Sequence, residues 1–261
     1  MNEPAIFYSE KHLKEVFEKM EDYKTMNLDV NTFFEMTGMI GSICNNPEDY
    51  ASFYHNYRGK RYRHDQVHNL FGYYMTRSAS EAFERYVPEK RILLFSRASY
   101  IGMHRFGGIW QGDNASWWSH LKMNVKMMPS LNMCGFLYTG ADVGGFGADA
   151  TEDLVLRWLE FAVFTPLLRN HSARGTRRQE VYRFSHVEKF ADVIGVRYQI
   201  LPYIYSEYMK AALQNTMMFN PLAFLYGEDT LAGQVEDQLF IGENIMVAPV
   251  CEQNMSGRVV Y

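Results

Sequence analysis

A chain of 261 residues, 47% hydrophobic and 21% charged, can bury a substantial core, which excludes disorder and leaves a globular protein of one or two domains. A formal net charge of -4, with no long basic run, gives no electrostatic footing for nucleic acid or an anionic membrane, so a neutral or mildly polar partner is expected. Three cysteines, Cys44, Cys134 and Cys251, sit at spacings that suit neither a zinc site nor a disulfide framework, and the expected compartment is the reducing cytoplasm.

The opening residues, Met1 to Ile6, carry neither a basic nor an apolar leader segment, and no apolar run approaches the roughly 20 residues of a membrane helix. The sequons at Asn114, Asn170 and Asn254 therefore carry little weight. Over residues 10–36, Leu13, Val16, Phe17 and Met20 recur at spacings of three and four, which predicts an amphipathic helix. Residues 38–63 read as irregular. A second helix is expected over 64–85, ending before Val87-Pro88, because proline disfavours helix at the residue before it.

Beyond that point short apolar runs alternate with longer helical stretches. Ile92 to Phe95 and Gly135 to Tyr138 are such runs, not strictly alternating, as suits parallel strands covered on both faces. Helices are expected over 117–128, 152–168 and 187–213, the last kinked at Pro202. Each run leads into polar residues: Ser96-Arg97, Asp113, Asp142, then Arg169-Asn170-His171. Functional groups at the ends of several strands favour a (β/α)8 barrel over a doubly wound sheet, which gathers them at one switch point. Past Asn215 glycines separate short apolar stretches, the texture of an antiparallel β-domain.

Two patterns mislead. Gly145 to Ala150 matches the G-x-G-x-x-A dinucleotide fingerprint, yet Asp142 stands between it and the preceding run, where a carboxylate would repel a pyrophosphate. None of the eight histidines falls in a spacing with a metal-binding mechanism. The segment 97–121 is more informative: Gly107-Gly108, Trp110 and Asp113 follow one another at a strand end, with Arg105 just upstream. A glycosidase needs two carboxylates about the scissile bond and rings to stack on sugar faces. Asp113 serves equally well, on spacing alone, as the N-cap of the helix containing Trp117 and Trp118.

Met-Asn-Glu-Pro at 1–4, Arg-Ala-x-x-x-Gly at 97–102, Arg-Phe-x-x-x-Trp-x-Gly-Asp-Asn at 105–114, Gly-Ala-Asp-Val-Gly-Gly-Phe at 140–146 and Arg-Asn-His at 169–171 resemble, in order, the motifs of glycoside hydrolase family 31. The resemblance implies a partial TIM barrel over 1–215, from the end of strand 4 to helix 8, with 10–63 inserted after strand 4, and the start of a C-terminal β-sandwich over 216–261. It implies a retaining α-glucosidase acting on α-gluco-oligosaccharides, without metal or organic cofactor. Asp113 matches the acid/base, and Met1, Arg105, Trp110, Asp142, Phe146, Arg169 and His171 match the wall of the subsite for the terminal glucose. For Asp142, between glycine-rich turns, structural support, either ordering its loop or pairing with Arg169, is expected ahead of direct sugar contact. The family nucleophile is the aspartate in Trp-x-Asp-Met-Asn-Glu, one residue before Met1, so the expected partner of this chain is the missing N-terminal half of its barrel. An α-xylosidase, a transglucosidase or a non-catalytic carbohydrate-binding fragment remain as alternatives.

Overall fold

The computed structural model describes residues 8–27, 29–42 and 46–261; Met1 lies outside them. The described chain divides into two compact units, one running to Pro88 and including Ser96–Tyr100, the other comprising Glu89–Phe95 and Ile101–Tyr261.

The first unit opens with α1 (Glu10–Tyr23), where the Ser9 hydroxyl accepts from the His12 N–H at 3.1 Å and Val16 is buried. The single helix expected over 10–36 is two, because Asp29 and Thr32 start α2 (Val30–Ser42) afresh. The Thr32 N–H donates to Asp29 Oδ1 at 2.8 Å and the Asp29 N–H donates to Thr32 Oγ1 at 2.9 Å, the reciprocal capping that begins a helix. The stretch expected to be irregular contains α3 (Pro47–Ser52), capped by Asn46, and a hairpin of β1 (Tyr54–Tyr57) and β2 (Lys60–Arg63). Arg58 and Gly59 make its tight turn, both at positive φ. The predicted second helix is interrupted: α4 (His64–Val67) passes through a 3-10 turn at His68–Leu70 into α5 (Phe71–Tyr86). Here His55 Nε2 lies 2.8 Å from His64 Nδ1, His64 Nε2 lies 2.8 Å from His68 Nδ1, and the Tyr50 ring stacks on His68. His64 is fully buried, and burial, reinforced by the two neighbouring imidazoles, lowers its pKa to about 4.

The second unit is organised by extended segments, beginning at β3 (Phe95–Ser96), within which the division between the units falls, and β4 (Gly108–Ile109). The Gly108 N–H donates to Leu94 O at 2.8 Å, Ile109 N–H to Tyr138 O at 3.1 Å and Gln111 N–H to Gly140 O at 2.9 Å. Moving two residues along one segment moves two along its neighbour in the same direction, which is parallel pairing. The ladder continues as Leu167 N–H donates to Thr139 O and Val143 N–H to Arg169 O, with a parallel bridge between Asp142 and Arg169. A Cβ on Gly140 would lie 2.0 Å from Leu167 O and one on Gly108 2.4 Å from Tyr138 O, so only glycine lets these backbones approach.

Helices α6 (Trp118–Met133) and α7 (Glu152–Ala162) lie in the chain between successive segments, as parallel connections require. The side chain of Thr151 caps α7 at the Leu154 N–H. This helix ends six residues short of the expected Leu168, because Thr165 precedes Pro166 and is thereby turned out of the helical region. The next helix, α8 (Val187–Gln214), stays helical through Pro202 and ends at Asn215 in the left-handed conformation.

Then come β5 (Phe219–Pro221), α9 (Leu222–Leu225), β6 (Leu239–Ile241) and β7 (Ile245–Val247), the three strands antiparallel in the order β5-β6-β7. One core passes through position 215: Leu121, Val155, Trp158 and Phe190 pack in the same buried cluster as Phe219, Ile241 and Val247. The carboxamide of buried Asn132, on α6, accepts from the N–H groups of Met218 and Phe219 and donates to Phe136 O. Among the described residues no helix is long and apolar enough to cross a membrane.

Candidate active site

The parallel segments all leave the sheet in one direction, and the residues that follow them form a cluster. Trp110, buried directly after β4, stands 6.1 Å from Phe95 with the rings perpendicular. The Arg169 guanidinium lies 5.3 Å from the Trp110 ring centroid and 5.7 Å from that of Phe95, close enough for cation–π attraction to hold it. Its Nε donates to Asp142 Oδ1 at 2.5 Å. The pairing expected from the sequence is thus present. Asp142 is fully buried, and its Oδ2 has no partner among the described residues. Burial raises the pKa of Asp142 against the lowering by Arg169 and His171, and the negative charge of Asp113 raises it further. The rings of Phe146 and His171 lie 5.2 Å apart, tilted by 36°.

Asp113 is exposed on a loop anchored from behind. Asn114 O accepts from the N–H groups of Phe146 and Gly147, the Asn114 side chain meets that of Asn124 on α6 at 2.7 Å, and the Ser116 N–H donates to Gly147 O. A Cβ on Gly145 would come within 2.6 Å of the Ser116 backbone. Gly145, the first glycine of the apparent dinucleotide fingerprint, therefore lets two loops interlock. Asp113 is not a helix cap, since α6 begins at Trp118 with Trp117 at its N-cap.

Arg105 precedes β4, as its place in the sequence requires, in the 3-10 turn Met103–Arg105, where its Nε donates to Gly102 O at 3.2 Å. It lines a cavity of about 800 Å³ with Leu94, Gly108, Gly135 and Tyr138, residues at the beginnings of the segments. β4 lies between Arg105 and Asp113 in the chain. Phe95, Asn114 and Gln179 were not singled out from the sequence. Phe95 lay in a run read only as a strand and Asn114 adjoins Asp113, whereas nothing in the pattern marks Gln179. Among the described residues no group of three or more His, Cys, Asp or Glu is arranged to hold a metal ion.

The model of the glycosyl hydrolases family 31 TIM-barrel domain matches residues 1–207, and that of the family's C-terminal domain matches residues 215–261. The chain is 34% identical over 211 residues to Alpha-glucosidase 2 of Bacillus thermoamyloliquefaciens, covering 79% of this chain and 27% of that protein. To Neutral alpha-glucosidase AB of Homo sapiens it is 32% identical over 203 residues, covering 77% of this chain and 22% of that protein. Among solved structures it resembles the Flavobacterium johnsoniae GH31 dextranase complexed with glucose, with a TM-score of 0.73 and 27% identity over 81% of this chain and 27% of the other. It likewise resembles the Tris-bound glucosidase II alpha subunit, with a TM-score of 0.70 and 30% identity over 74% of this chain and 22% of the other. The chain thus spans about a quarter of the length of the relatives it matches. It belongs to glycosyl hydrolase family 31, as a TIM-barrel domain followed by a C-terminal domain.

Proposed function

We propose that this chain supplies the acid/base side of a retaining α-glucosidase site that releases terminal α-linked glucose from oligosaccharides. The observation that carries the reading is the position of Asp113: an exposed carboxylate on a loop bonded through Asn114 to Phe146 and Gly147, near enough to the buried Asp142 for its charge to act there, in a cluster that also holds Arg169, Trp110 and His171. Aromatic faces and a fixed ion pair suit a neutral, polyhydroxylated ring better than a charged ligand. In this reading Asp113 protonates the glycosidic oxygen and then takes a proton from the attacking water. Asp142 and Arg169 present hydrogen-bonding groups to sugar hydroxyls, and Trp110, Phe146 and His171 form the wall. In this reading the nucleophilic aspartate is not supplied by these 261 residues, the parallel segments are later strands of the barrel, and β5-β6-β7 opens a β-sandwich. The alpha-glucosidase names of the relatives support the reaction class.

The test exploits leaving groups, in the protein that carries this chain. An acid catalyst matters most when the leaving group is a poor one. Asp113→Ala should nearly abolish hydrolysis of a disaccharide, while glycosylation of the enzyme by a nitrophenyl α-glucoside survives far better and added azide relieves its slow breakdown. Asp142→Ala should slow both substrates alike, without azide rescue. If leaving-group dependence and rescue appear with Asp142 and not with Asp113, the roles are misassigned.

A further inference from the structure

Gln179 follows the last of the parallel segments by ten residues, on the loop that leads to α8, and its side chain is 2% exposed. Its Nε2 faces three acceptors: Val143 O at 2.9 Å, Gly145 O at 3.0 Å and Asn170 Oδ1 at 3.3 Å. In return the Asn170 Nδ2 donates to Gln179 O at 2.8 Å. The position of each acceptor is informative. Val143 directly follows Asp142, Gly145 directly precedes Phe146, and Asn170 stands between Arg169 and His171. One carboxamide therefore reaches the neighbours of four residues in the candidate sugar site. The turn it holds has little rigidity of its own, since Gly144 and Gly145 are both at positive φ, at 86° and 89°. A Cβ on Gly144 would lie 2.8 Å from Val155 Cγ2 and 3.3 Å from Gln179 Nε2, so the bare glycine also makes room for the amide.

We propose that Gln179 is a positioning residue for the sugar site, whose amide N–H groups lock the Asp142–Phe146 turn to the Arg169–His171 segment. It touches no substrate. The proposal rests on the glycosidase reading above and deepens it, by naming what fixes the spacing of the two loops. Displacements of about 1 Å at such a site lower rates by up to about two orders of magnitude. The donor side of the amide is what matters: its Oε1 is buried with no partner among the described residues, so a side chain of the same shape without N–H groups would occupy the space and lose the lock.

The test uses the protein that carries this chain, with Gln179→Met and Gln179→Glu compared with wild type on a nitrophenyl α-glucoside. Gln179→Met should retain the wild-type circular dichroism and lose about 10- to 100-fold in kcat/KM, as expected for a displaced site. Gln179→Glu preserves shape, and its pH profile separates positioning from packing. Protonated, the carboxyl keeps one O–H donor for these acceptors; ionised, it has none and faces three oxygens. Its kcat/KM should therefore approach wild type at acidic pH and fall more steeply than wild type as pH rises, by about a further 10-fold. Parallel pH profiles for Gln179→Glu and wild type would overturn the positioning role even if Gln179→Met fails to fold. An inactive wild type would instead overturn the glycosidase reading, and this proposal with it.

Discussion

Replacing Arg169 with methionine isolates the physics of the Asp142 pair. The substitution keeps much of the stem that packs on Trp110 and Phe95 but removes the cation 2.5 Å from Asp142 Oδ1. It leaves a fully buried carboxylate, one of whose oxygens already lacks a partner among the described residues. Breaking a buried pair from one side costs about 3–5 kcal/mol. The Arg169 side chain is 28% exposed, so water relieves part of the loss and a value near the lower end, about 3 kcal/mol, is expected at neutral pH. The cost should depend on pH in a definite direction. Burial already raises the pKa of Asp142 above its ordinary value, and a group raised in the fold contributes stability that is fully present below its unfolded pKa and lost as pH rises through the folded one. Without Arg169 the pKa rises further and the proton is taken up at higher pH. Stability lost at neutral pH should then return in part at mildly acidic pH, at up to about 1.4 kcal/mol per pH unit for one proton. Urea unfolding at the two pH values, followed by tryptophan fluorescence, measures this directly. Adding Asp142→Asn to Arg169→Met should recover most of the loss at neutral pH. Equal losses at both pH values, or a double variant no better than the single one, would refute the argument.

Arg105→Ala should change kcat/KM by less than about threefold, because Arg105 sits in the turn before β4 and lines a cavity with residues at the beginnings of the segments; a loss of two orders of magnitude would mean that it reaches the sugar. His64, with its pKa lowered to about 4, stays neutral in the fold while the unfolded chain protonates it, so its contribution is intact above about pH 6.5 and lost as pH falls towards 4. Over that window it should amount to about 2–3 kcal/mol, and His64→Gln should flatten the acid side of the stability profile; an unchanged acid limb in a thermal-unfolding series would contradict the burial argument.

Chain order alone settled much about this protein. Apolar runs alternating with helical stretches require parallel strands with helical crossovers, and polar residues just after those runs emerge together because parallel strands all end on one side. Asp113, Asp142, Arg169 and His171 stood out as polar residues after such runs for that reason, as did the antiparallel texture after Asn215, whereas Trp110 and the sugar-site roles of all five came from the family resemblance. Local chemistry that competes with periodicity was harder to read. The reciprocal caps of Asp29 and Thr32 split a helix whose apolar spacing looked continuous, and Pro166 ended α7 before its pattern ran out. Arg105 was assigned by the motif it shares with Asp113, whereas the structure shows it in the turn before β4, lining a cavity with residues at the beginnings of the segments. Only the tertiary structure could show what fixes the site: the interlocking of the Asn114 and Gly145 loops, the Phe95 ring beneath Arg169, and the Gln179 amide reaching three acceptors on two other segments. Each of these depends on atoms brought together across tens of residues by packing, and a single hydrogen-bonding side chain in a loop has no periodicity to announce where it will point.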